Sequence, residues 1–347
     1  MAFSWSTFLA WRGKYQMLVL GIETSCDETG ASVVKDGKEI LSNTVASSLE
    51  FHKRYGGIVP EIATRYHIEV INYVIKDSLK KAGVKLDDID LIAVTCGPGL
   101  VGALLVGISF AKSLSYSLGV PLIGVNHLWS HIYSGLIGRR NIKFPFVGLV
   151  ISGGHTTLVF CENIGKFKLL GQTKDDAIGE AFDKVAKVLG LGYPGGPVIE
   201  KAAQDGNPYA IGFKPTYLDD RSYDFSFSGI KTAVLYYIRD KRLDKGLKSD
   251  IAASFQKAVF DPLVEKSIGA CKFKGVKSLV VGGGVSANKY FREILTNAGY
   301  EDGIDVIFPP FELSLDNAAM VSALGYKLFK KGVKSDSHLT AEPNLKI

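Results

Sequence analysis

The sequence has few cysteines, and their spacing excludes two kinds of site. Only four of the 347 residues are cysteines, and no two of them form a C-x-x-C pair. A disulfide framework or a cysteine-bound zinc needs paired or closely spaced cysteines, so neither is expected. Because isolated thiols are typical of a reducing compartment, the sequence predicts a cytoplasmic protein.

Long apolar runs are also missing. No window reaches the roughly 18–20 continuous apolar residues of a membrane span, so we expect no membrane partner. In the first 16 residues a short apolar part is followed, rather than preceded, by Arg12 and Lys14, which is the wrong order for a secretory signal. We interpret residues 1–16 as an N-terminal extension outside the fold, and a membrane-surface anchor is the alternative.

Neither sign of charge is in large excess. The chain has 41 lysines and arginines against 35 aspartates and glutamates, which gives a formal net charge of +6. This mildly basic balance is compatible with a nucleic-acid partner but does not demonstrate one. Since a single hydrophobic core stops growing at about 250–300 residues, the length of the chain predicts two lobes.

Two segments of the chain follow one plan, in which a strand leads into a polar turn with glycine and then into a second strand. In the first segment, residues 17–22 form the strand and residues 23–30 form the turn. In the second, residues 146–151 form the strand and residues 152–156 form the turn. This repeat predicts two related lobes built on similar sheets, and two unrelated hairpins are the alternative.

Helical and strand patterns alternate through the rest of the chain, which predicts an α/β protein with mixed layers. The predicted helices cover residues 60–82, 101–118, 179–190, 228–241, 249–271 and 316–331, and further strands cover 90–95, 121–125 and 278–283. The PGGP segment at 194–197 is interpreted as a turn. Ser286 is interpreted as a helix N-cap, and Asp316 as the first residue of the last helix.

The two repeated turns are candidates for binding a phosphate-bearing ligand. In the first turn, backbone N–H groups and hydroxyls could hold phosphate, while Asp27 and Glu28 could orient a metal, a water or an amine. A solvated hairpin turn is the alternative there. In the second turn, Gly153 and Gly154 let the backbone approach a ligand closely. Two such turns facing each other could hold a phosphate chain from both lobes.

Two further segments of the second half carry ligand-binding signals. The predicted strand 278–283 leads into GGGVSAN at 282–288, where three glycines and Asn288 before a helix favour an anion or nucleotide over a simple turn. In GEAFDK, Asp183 either contacts a ribose or forms a surface pair with Lys187 one turn away, and the sequence does not decide between these interpretations.

His127 and His131 are four residues apart. If this stretch is helical, both imidazoles lie on one face and suit a single metal ion. Leu128 stands where an H-E-x-x-H motif would have glutamate, so the general base of a metalloprotease is absent. Asp316 is the best candidate for a third ligand. A His-His-carboxylate set suits iron or zinc better than magnesium or calcium.

These segments together resemble the TsaD family, the bacterial tRNA N6-adenosine threonylcarbamoyltransferases. The similarity covers residues 17–347, and the motifs that carry it are GIETSCDETG, GGIVPEIATR, GPGLVGALLVG, the H-x-x-x-H pair, SGGHT, GEAFDK, YPGGP, DFSFSGIKT, GGGVSAN and DNAAM. The resemblance implies the actin/Hsp70/sugar-kinase (ASKHA) fold, with two related lobes and a ligand cleft between them. The implied lobes are residues 17–142 and 143–315, with the helix at 316–332 packing back on the first.

The resemblance also implies an activity and its residues. The family transfers the threonylcarbamoyl group from threonylcarbamoyl-AMP to the N6 amine of adenosine 37 in tRNAs reading ANN codons. An adenine nucleotide is therefore expected as part of the substrate. By position, His127, His131 and Asp316 match the ligands of one divalent metal, with iron expected and zinc possible as the second choice. The positions that match the substrate contacts are Val150, Ile151, Ser152, Gly153, Gly154, Asp183, Gly196 and Asn288. Asp27 and Glu28 are our candidates for the catalytic carboxylates.

Family membership would also imply macromolecular partners. These are the tRNA anticodon loop, a TsaB-like heterodimer partner, a TsaE-like ATPase, and a TsaC-type synthase that supplies threonylcarbamoyl-AMP. One departure stands out, because Trp129 and Ser130 lie where relatives carry a Glu-Gly pair between the two histidines. Any role of that glutamate around the metal is therefore lost.

Two other functions fit the same fold. A small-molecule kinase would need magnesium rather than a histidine-bound metal, and an ATP-driven binding subunit would leave the paired histidines without a role. Metal analysis and the activity of a His131→Ala variant distinguish these alternatives from the transferase.

Overall fold

The structure is a computed structural model that describes residues 16–139, 143–218 and 222–346. The extension predicted over residues 1–16 lies, except for Gln16, outside the described residues. The chain divides into two compact units, which are described separately below. Unit 1 comprises Met1–Arg54, Ile58–Ile142 and Leu315–Ile347, and unit 2 comprises Tyr55–Gly57 and Lys143–Ser314.

Unit 1 is built on a five-stranded sheet. Its first elements are β1 (Leu18–Glu23), β2 (Glu28–Lys35), β3 (Glu39–Ser47), α1 (Leu49–Lys53), α2 (Pro60–Ala82), β4 (Leu91–Gly97), α3 (Val101–Leu118), β5 (Leu122–Asn126) and α4 (His127–Ser134). The strand order is β3-β2-β1-β4-β5. Strand β2 runs antiparallel to β1 and β3, whereas β4 runs parallel to β1 and β5.

Unit 2 repeats this topology. Its elements are β6 (Phe146–Ile151), β7 (Thr156–Asn163), β8 (Lys166–Gln172), α5 (Ile178–Val188), α6 (Gly195–Ala203), α7 (Ser228–Ile238), α8 (Lys245–Lys274), β9 (Ser278–Gly282), α9 (Lys289–Glu301) and β10 (Asp305–Ile307). The strand order is β10-β9-β6-β7-β8, with two antiparallel pairs and two parallel pairs as in unit 1. The prediction of two related sheets is confirmed.

The last helix, α10 (Ala318–Lys330), belongs to unit 1 although it follows unit 2 in the sequence. Successive residues of β1 point to opposite faces of the sheet. Leu20 and Ile22 pack in a core with Leu104 and Ile108 of α3, while Gly21 faces Ser322 of α10. Helices therefore cover both faces of this sheet, which explains why β4 is buried along its whole length.

The core of unit 2 is rich in phenylalanine. Phe182 of α5 lies 5.0 Å from Phe255 and 5.5 Å from Phe260 of α8, and Phe260 lies 4.8 Å from Phe291 of α9, measured between ring centroids. All four rings are almost completely buried. Burying one such side chain contributes roughly 1.5–3 kcal/mol, so this cluster holds α5, which carries Asp183, and α9, which Asn288 caps, against α8.

Three local predictions were wrong, and each error has a physical reason. The PGGP segment is not only a turn, because Gly195 already begins α6 after Pro194. Asn288, not Ser286, caps α9, since Gly284–Ala287 forms a 3₁₀ turn first. Helix α10 begins at Ala318 and its N-cap is Asn317, so Asp316 lies just before the helix rather than in it.

One described helix, α3, is long and apolar enough to cross a membrane by length and composition alone. It contains Lys112 and four serines and thus is not a continuous apolar run. It packs against α2 and β4, yet only 28% of it is buried. This is weak evidence for a membrane, because core helices of globular proteins pass the same test.

Candidate metal and substrate sites

Helix α4 brings the two histidines together. Asn126 caps it, because its side-chain oxygen accepts hydrogen bonds from the N–H groups of Leu128 (2.9 Å) and Trp129 (3.1 Å). The helix therefore begins at His127, and His131 lies one turn later on the same face. The two imidazole rings meet edge to face with centroids 4.6 Å apart, and both residues are buried.

Asp316 meets these two imidazoles. Its Oδ1 lies 3.0 Å from Nε2 of His131 and 3.6 Å from Nε2 of His127. One donor atom from each of the three residues lies within 4.8 Å of the other two. Two imidazole nitrogens and one carboxylate oxygen form a donor set that fits a divalent transition metal. The structure thus brings together the three residues that the sequence predicts as metal ligands.

Glu23, the last residue of β1, also contacts this cluster and was not among the residues predicted from the sequence. Its Oε2 lies 3.2 Å from Nδ1 of His127 and accepts a hydrogen bond from Thr95 Oγ1 at 2.6 Å. Its Oε1 accepts one from the N–H of Ser25 at 2.6 Å. Glu23 is completely buried. A metal-bound histidine commonly has such a carboxylate on its second nitrogen, so this contact supports the metal site.

The charges in this cluster shift the pKa values of His127 and Glu23. Burial lowers the pKa of His127, but the negative charges of Asp316 and Glu23 outweigh burial and raise it to about 9. Burial raises the pKa of Glu23, yet its contact with His127 outweighs that effect, so the pKa is lowered overall. Two carboxylates therefore surround the imidazoles with the negative charge that a cation would neutralise.

Asp27 and Glu28 lie close to this cluster in unit 1, where β1 turns into β2. Asp27 is buried and Glu28 is half-buried. Burial, together with the negative charges of Asp316 and Asp27, raises the pKa of Glu28 well above its usual range. A carboxyl group with a raised pKa is suited to proton transfer near neutral pH.

Two buried histidines, which the sequence analysis did not single out, hold this turn. Nε2 of His67 lies 3.0 Å from the carbonyl oxygen of Cys26. The carbonyl oxygen of Asp27 accepts hydrogen bonds from the N–H (3.0 Å) and Oγ (2.9 Å) of Ser48. That hydroxyl in turn lies 2.9 Å from Nε2 of His52. The backbone around the two acidic residues is therefore fixed from α1 and α2.

Trp129 and Ser130, which lie between the two histidines, differ in their environment. Ser130 is buried, and its hydroxyl donates to the carbonyl oxygen of Asn126 at 3.0 Å. This bond is local to α4. Trp129 is half-buried at the start of the same helix. Neither side chain offers a carboxylate to a metal or a substrate.

In unit 2, the turn after β6 exposes its glycines. The N–H of Ser152 donates to the carbonyl oxygen of His155 at 2.8 Å, which closes the turn. Gly153 and Gly154 are exposed, and a Cβ at either position would meet nothing within 4 Å. Val150 and Ile151 are completely buried in β6, so only their main chain could contact a substrate. A ligand would therefore meet main-chain groups rather than side chains there.

Two neighbouring positions require glycine so that this turn can pack closely. A Cβ at Gly179, at the start of α5, would lie 2.7 Å from Cα of Gly153. Gly283 has a φ of +92°, and a Cβ there would lie 2.4 Å from the carbonyl oxygen of Ile151. The start of α5 and the end of β9 are thus held against the turn.

Asp183, in the middle of α5, contacts the start of α6, where Gly196 is the second residue. Oδ1 of Asp183 accepts a hydrogen bond from the N–H of Gly195 at 2.6 Å. Burial raises the pKa of Asp183 to about 6, although this hydrogen bond opposes the rise. A Cβ at Gly196 would meet nothing within 4 Å, so space remains beside the first turn of α6.

Asn288 lies next to a cavity of about 270 Å³ in unit 2. Its side-chain oxygen caps α9 by accepting from the N–H of Phe291, and its side-chain nitrogen donates to Gln256 Oε1 at 2.7 Å. Gln256 lines the cavity together with Glu200 and Lys289. Glu200 lies one turn after Gly196 on α6, and its Oε1 accepts a hydrogen bond from the N–H of Lys289 at 2.8 Å. None of the predicted substrate residues lines this cavity itself, but Asn288 adjoins it through its hydrogen bond to Gln256 and through its neighbour Lys289.

Comparison with known proteins identifies the family. The family model described as "TsaD: tRNA N6-adenosine threonylcarbamoyltransferase" matches residues 39–323. The chain belongs to this family. It is 52% identical over 331 residues to the enzyme of that name from Thermosipho africanus, a match that covers 95% of this chain and 100% of the relative. The enzyme from Clostridioides difficile is 49% identical over 333 residues, covering 95% and 98%. TsaD membership makes this chain a tRNA-modifying transferase rather than a small-molecule kinase or an ATP-driven binding subunit.

Solved structures of low sequence identity support the fold. HypF from T. kodakarensis aligns with a TM-score of 0.62 at 14% identity, covering 92% of this chain and 48% of that one. Component A of the (R)-2-hydroxyglutaryl-CoA dehydratase from Acidaminococcus fermentans aligns with a TM-score of 0.52 at 18% identity, covering 90% and 99%. The predicted ASKHA fold is confirmed.

Proposed function

We propose that this TsaD chain transfers the threonylcarbamoyl group from threonylcarbamoyl-AMP to the N6 amine of adenosine 37 in tRNAs that read ANN codons, with the help of one bound metal ion. The observation that carries the proposal is the convergence of His127, His131 and Asp316 beside the acidic turn after β1. The reaction would take place in the cytoplasm, where its tRNA substrate is available.

The three converging side chains are the proposed metal ligands, with iron as the first choice and zinc as the second. The nitrogen and oxygen donor set supports this assignment, because magnesium and calcium prefer oxygen ligands alone. Glu23 supports it further by occupying Nδ1 of His127, which leaves Nε2 for coordination. When bound, the ion would supply Lewis acidity and a fixed point of attachment for the threonylcarbamoyl group.

Residues of unit 2 are proposed to hold the adenylate part of the donor. The main chain of Val150 and Ile151 and the turn Ser152-Gly153-Gly154 would contact its phosphate, because exposed glycines leave the N–H groups accessible. Asp183 and Gly196 would contact the ribose. Asn288 would act at the cavity lined by Glu200, Gln256 and Lys289, where polar groups can bind the adenine.

The acceptor amine needs orientation as well as an activated donor. An exocyclic adenine amine is a poor nucleophile because its lone pair is delocalised into the ring. We assign Asp27 or Glu28 to receive its proton or to orient it, since both acids lie beside the metal ligands and Glu28 has a raised pKa. The N–H groups of the unit 2 turn would stabilise the AMP leaving group.

The adenosine of the acceptor lies in an anticodon loop. A base in a single-stranded loop can be presented without the cost of extrusion from a duplex, so tRNA is a feasible acceptor for this site. The mildly basic chain is compatible with that partner. A TsaE-like ATPase and a TsaC-type synthase that supplies the donor complete the proposed set of partners.

A TsaB-like protein is the proposed heterodimer partner, and α3 is the surface that we assign to it. Apolar side chains on α2 and α3 are exposed, and these are Ile68, Tyr73, Val101, Leu105 and Tyr116. A protein partner would remove this apolar surface from water. Leu105→Asp should weaken the heterodimer in size-exclusion chromatography, whereas Leu169→Asp, at an exposed position of unit 2, should not. Equal effects of the two variants would refute this surface.

The decisive experiment is transfer of labelled threonylcarbamoyl from its adenylate to tRNA by the purified protein, with and without the partner proteins. We expect label on N6 of adenosine 37 only when donor and tRNA are both present. Label on a small molecule, or phosphate transfer from ATP in its place, would contradict the proposal.

A further inference from the structure

Glu23 is a completely buried carboxylate that contacts a proposed metal ligand but has no role of its own in the proposed transfer. A buried charge is costly unless hydrogen bonds satisfy it. Here both oxygens are satisfied, since Oε1 accepts from the N–H of Ser25 at 2.6 Å and Oε2 accepts from Thr95 Oγ1 at 2.6 Å. The remaining partner of Oε2 is Nδ1 of His127 at 3.2 Å. The side chain of Glu23 thus links Thr95 of β4 to His127, one of the proposed metal ligands.

This contact decides which nitrogen of His127 can bind a metal. An ionised carboxylate only accepts hydrogen bonds, so Nδ1 must carry the proton. Ser25 Oγ, at 3.1 Å from the same nitrogen, holds the ring from a second side. Nε2 is the nitrogen that faces Asp316, whose Oδ1 lies 3.6 Å away, so it is the nitrogen available to a metal. Both the tautomer and the orientation of this ring therefore depend on Glu23.

The other histidine is held differently. Among the described residues, Nδ1 of His131 is buried and has no hydrogen-bond partner. Its Nε2 contacts Asp316 at 3.0 Å. The site thus has one imidazole with a fixed orientation and one whose orientation depends on Asp316 and on the helix.

A purely structural role for Glu23 is the competing explanation. The bond from Thr95 already ties β4 to β1, and the bond to the N–H of Ser25 shapes the turn. Neither bond requires a contact with His127. A structural role and a role in metal binding therefore make different predictions, because only the second involves the affinity for the metal.

We propose that Glu23 is a positioning residue that fixes the tautomer and orientation of His127 and thereby raises the affinity of the site for its metal. The proposal rests on the assignment of His127, His131 and Asp316 as ligands. It concerns the protein alone and requires neither tRNA nor donor.

The test compares Glu23→Gln with Thr95→Val in the full-length protein. Zinc affinity is measured by competition with a chromogenic chelator, and the unfolding free energy of the metal-free protein by urea titration. We expect Glu23→Gln to weaken zinc binding about 10–100-fold. Thr95→Val removes a hydrogen bond to the same carboxylate but leaves its contact with His127, so its zinc affinity should stay within about threefold. Equal zinc affinities in both variants and the wild type, whatever their stabilities, would overturn the proposal.

Two further measurements keep the outcome interpretable. If the His131→Ala variant binds zinc as tightly as the wild type, the metal site itself is refuted. If His131→Ala loses zinc but Glu23→Gln binds it normally, only the role of Glu23 is refuted. If Glu23→Gln fails to fold, the histidine ¹⁵N spectrum of the zinc-loaded wild type decides. We expect His127 bound through Nε2 with a proton on Nδ1, and coordination through Nδ1 would overturn the proposal.

Discussion

The turns after β1 and after β6 occupy equivalent places in two sheets of the same topology, yet they carry opposite chemistry. The first turn leads to two acids, with Asp27 buried and its backbone held by Ser48. The second turn has Gly153 and Gly154, which are exposed and have free space where a side chain would be. One turn thus provides charged side chains and the other provides main-chain groups.

This difference shows how one topology can serve two tasks. Side chains that transfer a proton or bind a metal need a fixed backbone, and His67 and His52 help to provide it in unit 1. Main-chain N–H groups that bind an anion need access, and glycines provide it in unit 2. In our account unit 1 binds the metal and activates the amine, while unit 2 binds the adenylate.

Removing a metal ligand from unit 1 should have the largest effect. His131→Ala should lower the bound metal from about one per chain to nearly none and slow transfer by roughly 1000-fold, because the Lewis acid is lost. Elemental analysis and the tRNA transfer assay measure these quantities. His338→Ala is the matched control, since His338 is exposed on the surface of the same unit. A metal-free His131→Ala protein with full activity would contradict the account.

Substitutions in the acidic turn of unit 1 should have the next largest effect on the transfer rate. Glu28→Gln should lower kcat by about 10²–10⁴-fold if this carboxylate transfers the proton of the amine. Binding of tRNA should remain unchanged, because the substitution is isosteric. Glu301→Gln, at an exposed position of unit 2, serves as the control for the loss of one charge. If Glu28→Gln and Asp27→Asn both transfer at the wild-type rate, neither acid has the proposed role.

A substitution in the glycine turn of unit 2 should weaken binding of the donor without lowering the stability of the protein. Gly153→Ala adds a Cβ that meets no protein atom within 4 Å, so the fold should tolerate it. If the donor approaches the main chain there, its KM should rise about tenfold, equivalent to about 1.4 kcal/mol. Gly179→Ala is the matched comparison, because its Cβ would lie 2.7 Å from Cα of Gly153. That variant should lower stability by about 1–3 kcal/mol. An unchanged KM in Gly153→Ala would remove the reason for assigning the turn to the donor.

The smallest expected effect concerns the pH dependence of stability. Burial raises the pKa of Asp183 from 3.8 to about 6, so the folded protein binds this proton more tightly than the unfolded chain. Stability from this group is therefore present below pH 3.8 and is lost as the pH rises through about 6. Asp183→Asn should remove this loss, which we expect to be about 1–2 kcal/mol after allowance for partial exposure. Urea titrations of both proteins across this range measure the difference, and parallel pH curves would contradict it.

The sequence predicted the elements whose signals are local. Helices over residues 60–82 and 101–118 have the predicted bounds, because helical spacing, Pro60 at the first turn and Gly83 after the last turn all agree. The His127–His131 pair was predicted for the same reason, since a spacing of four residues is visible in the sequence. Strand β6 also has its predicted bounds, since its apolar run ends abruptly at Ser152.

Other features depend on contacts that no local pattern reveals. Helix α6 contains Gly195, Gly196 and Pro197, all poor helix formers, and it forms because Asp183 accepts the N–H of Gly195 and α8 packs against it. Glu23 looked like one of several polar residues in a turn, since its partners Thr95 and His127 lie 72 and 104 residues away. The residue types are visible in the sequence, but the contacts between them are not.

The most direct test of the division of tasks is to measure zinc and AMP binding separately, by calorimetry, in the wild type, His131→Ala and Gly153→Ala. We expect His131→Ala to lose zinc while its Kd for AMP stays within about twofold, and Gly153→Ala to keep zinc while its Kd for AMP rises about tenfold. If AMP binding is lost in His131→Ala and unchanged in Gly153→Ala, the adenylate is not bound by the unit 2 turn, and the account is contradicted.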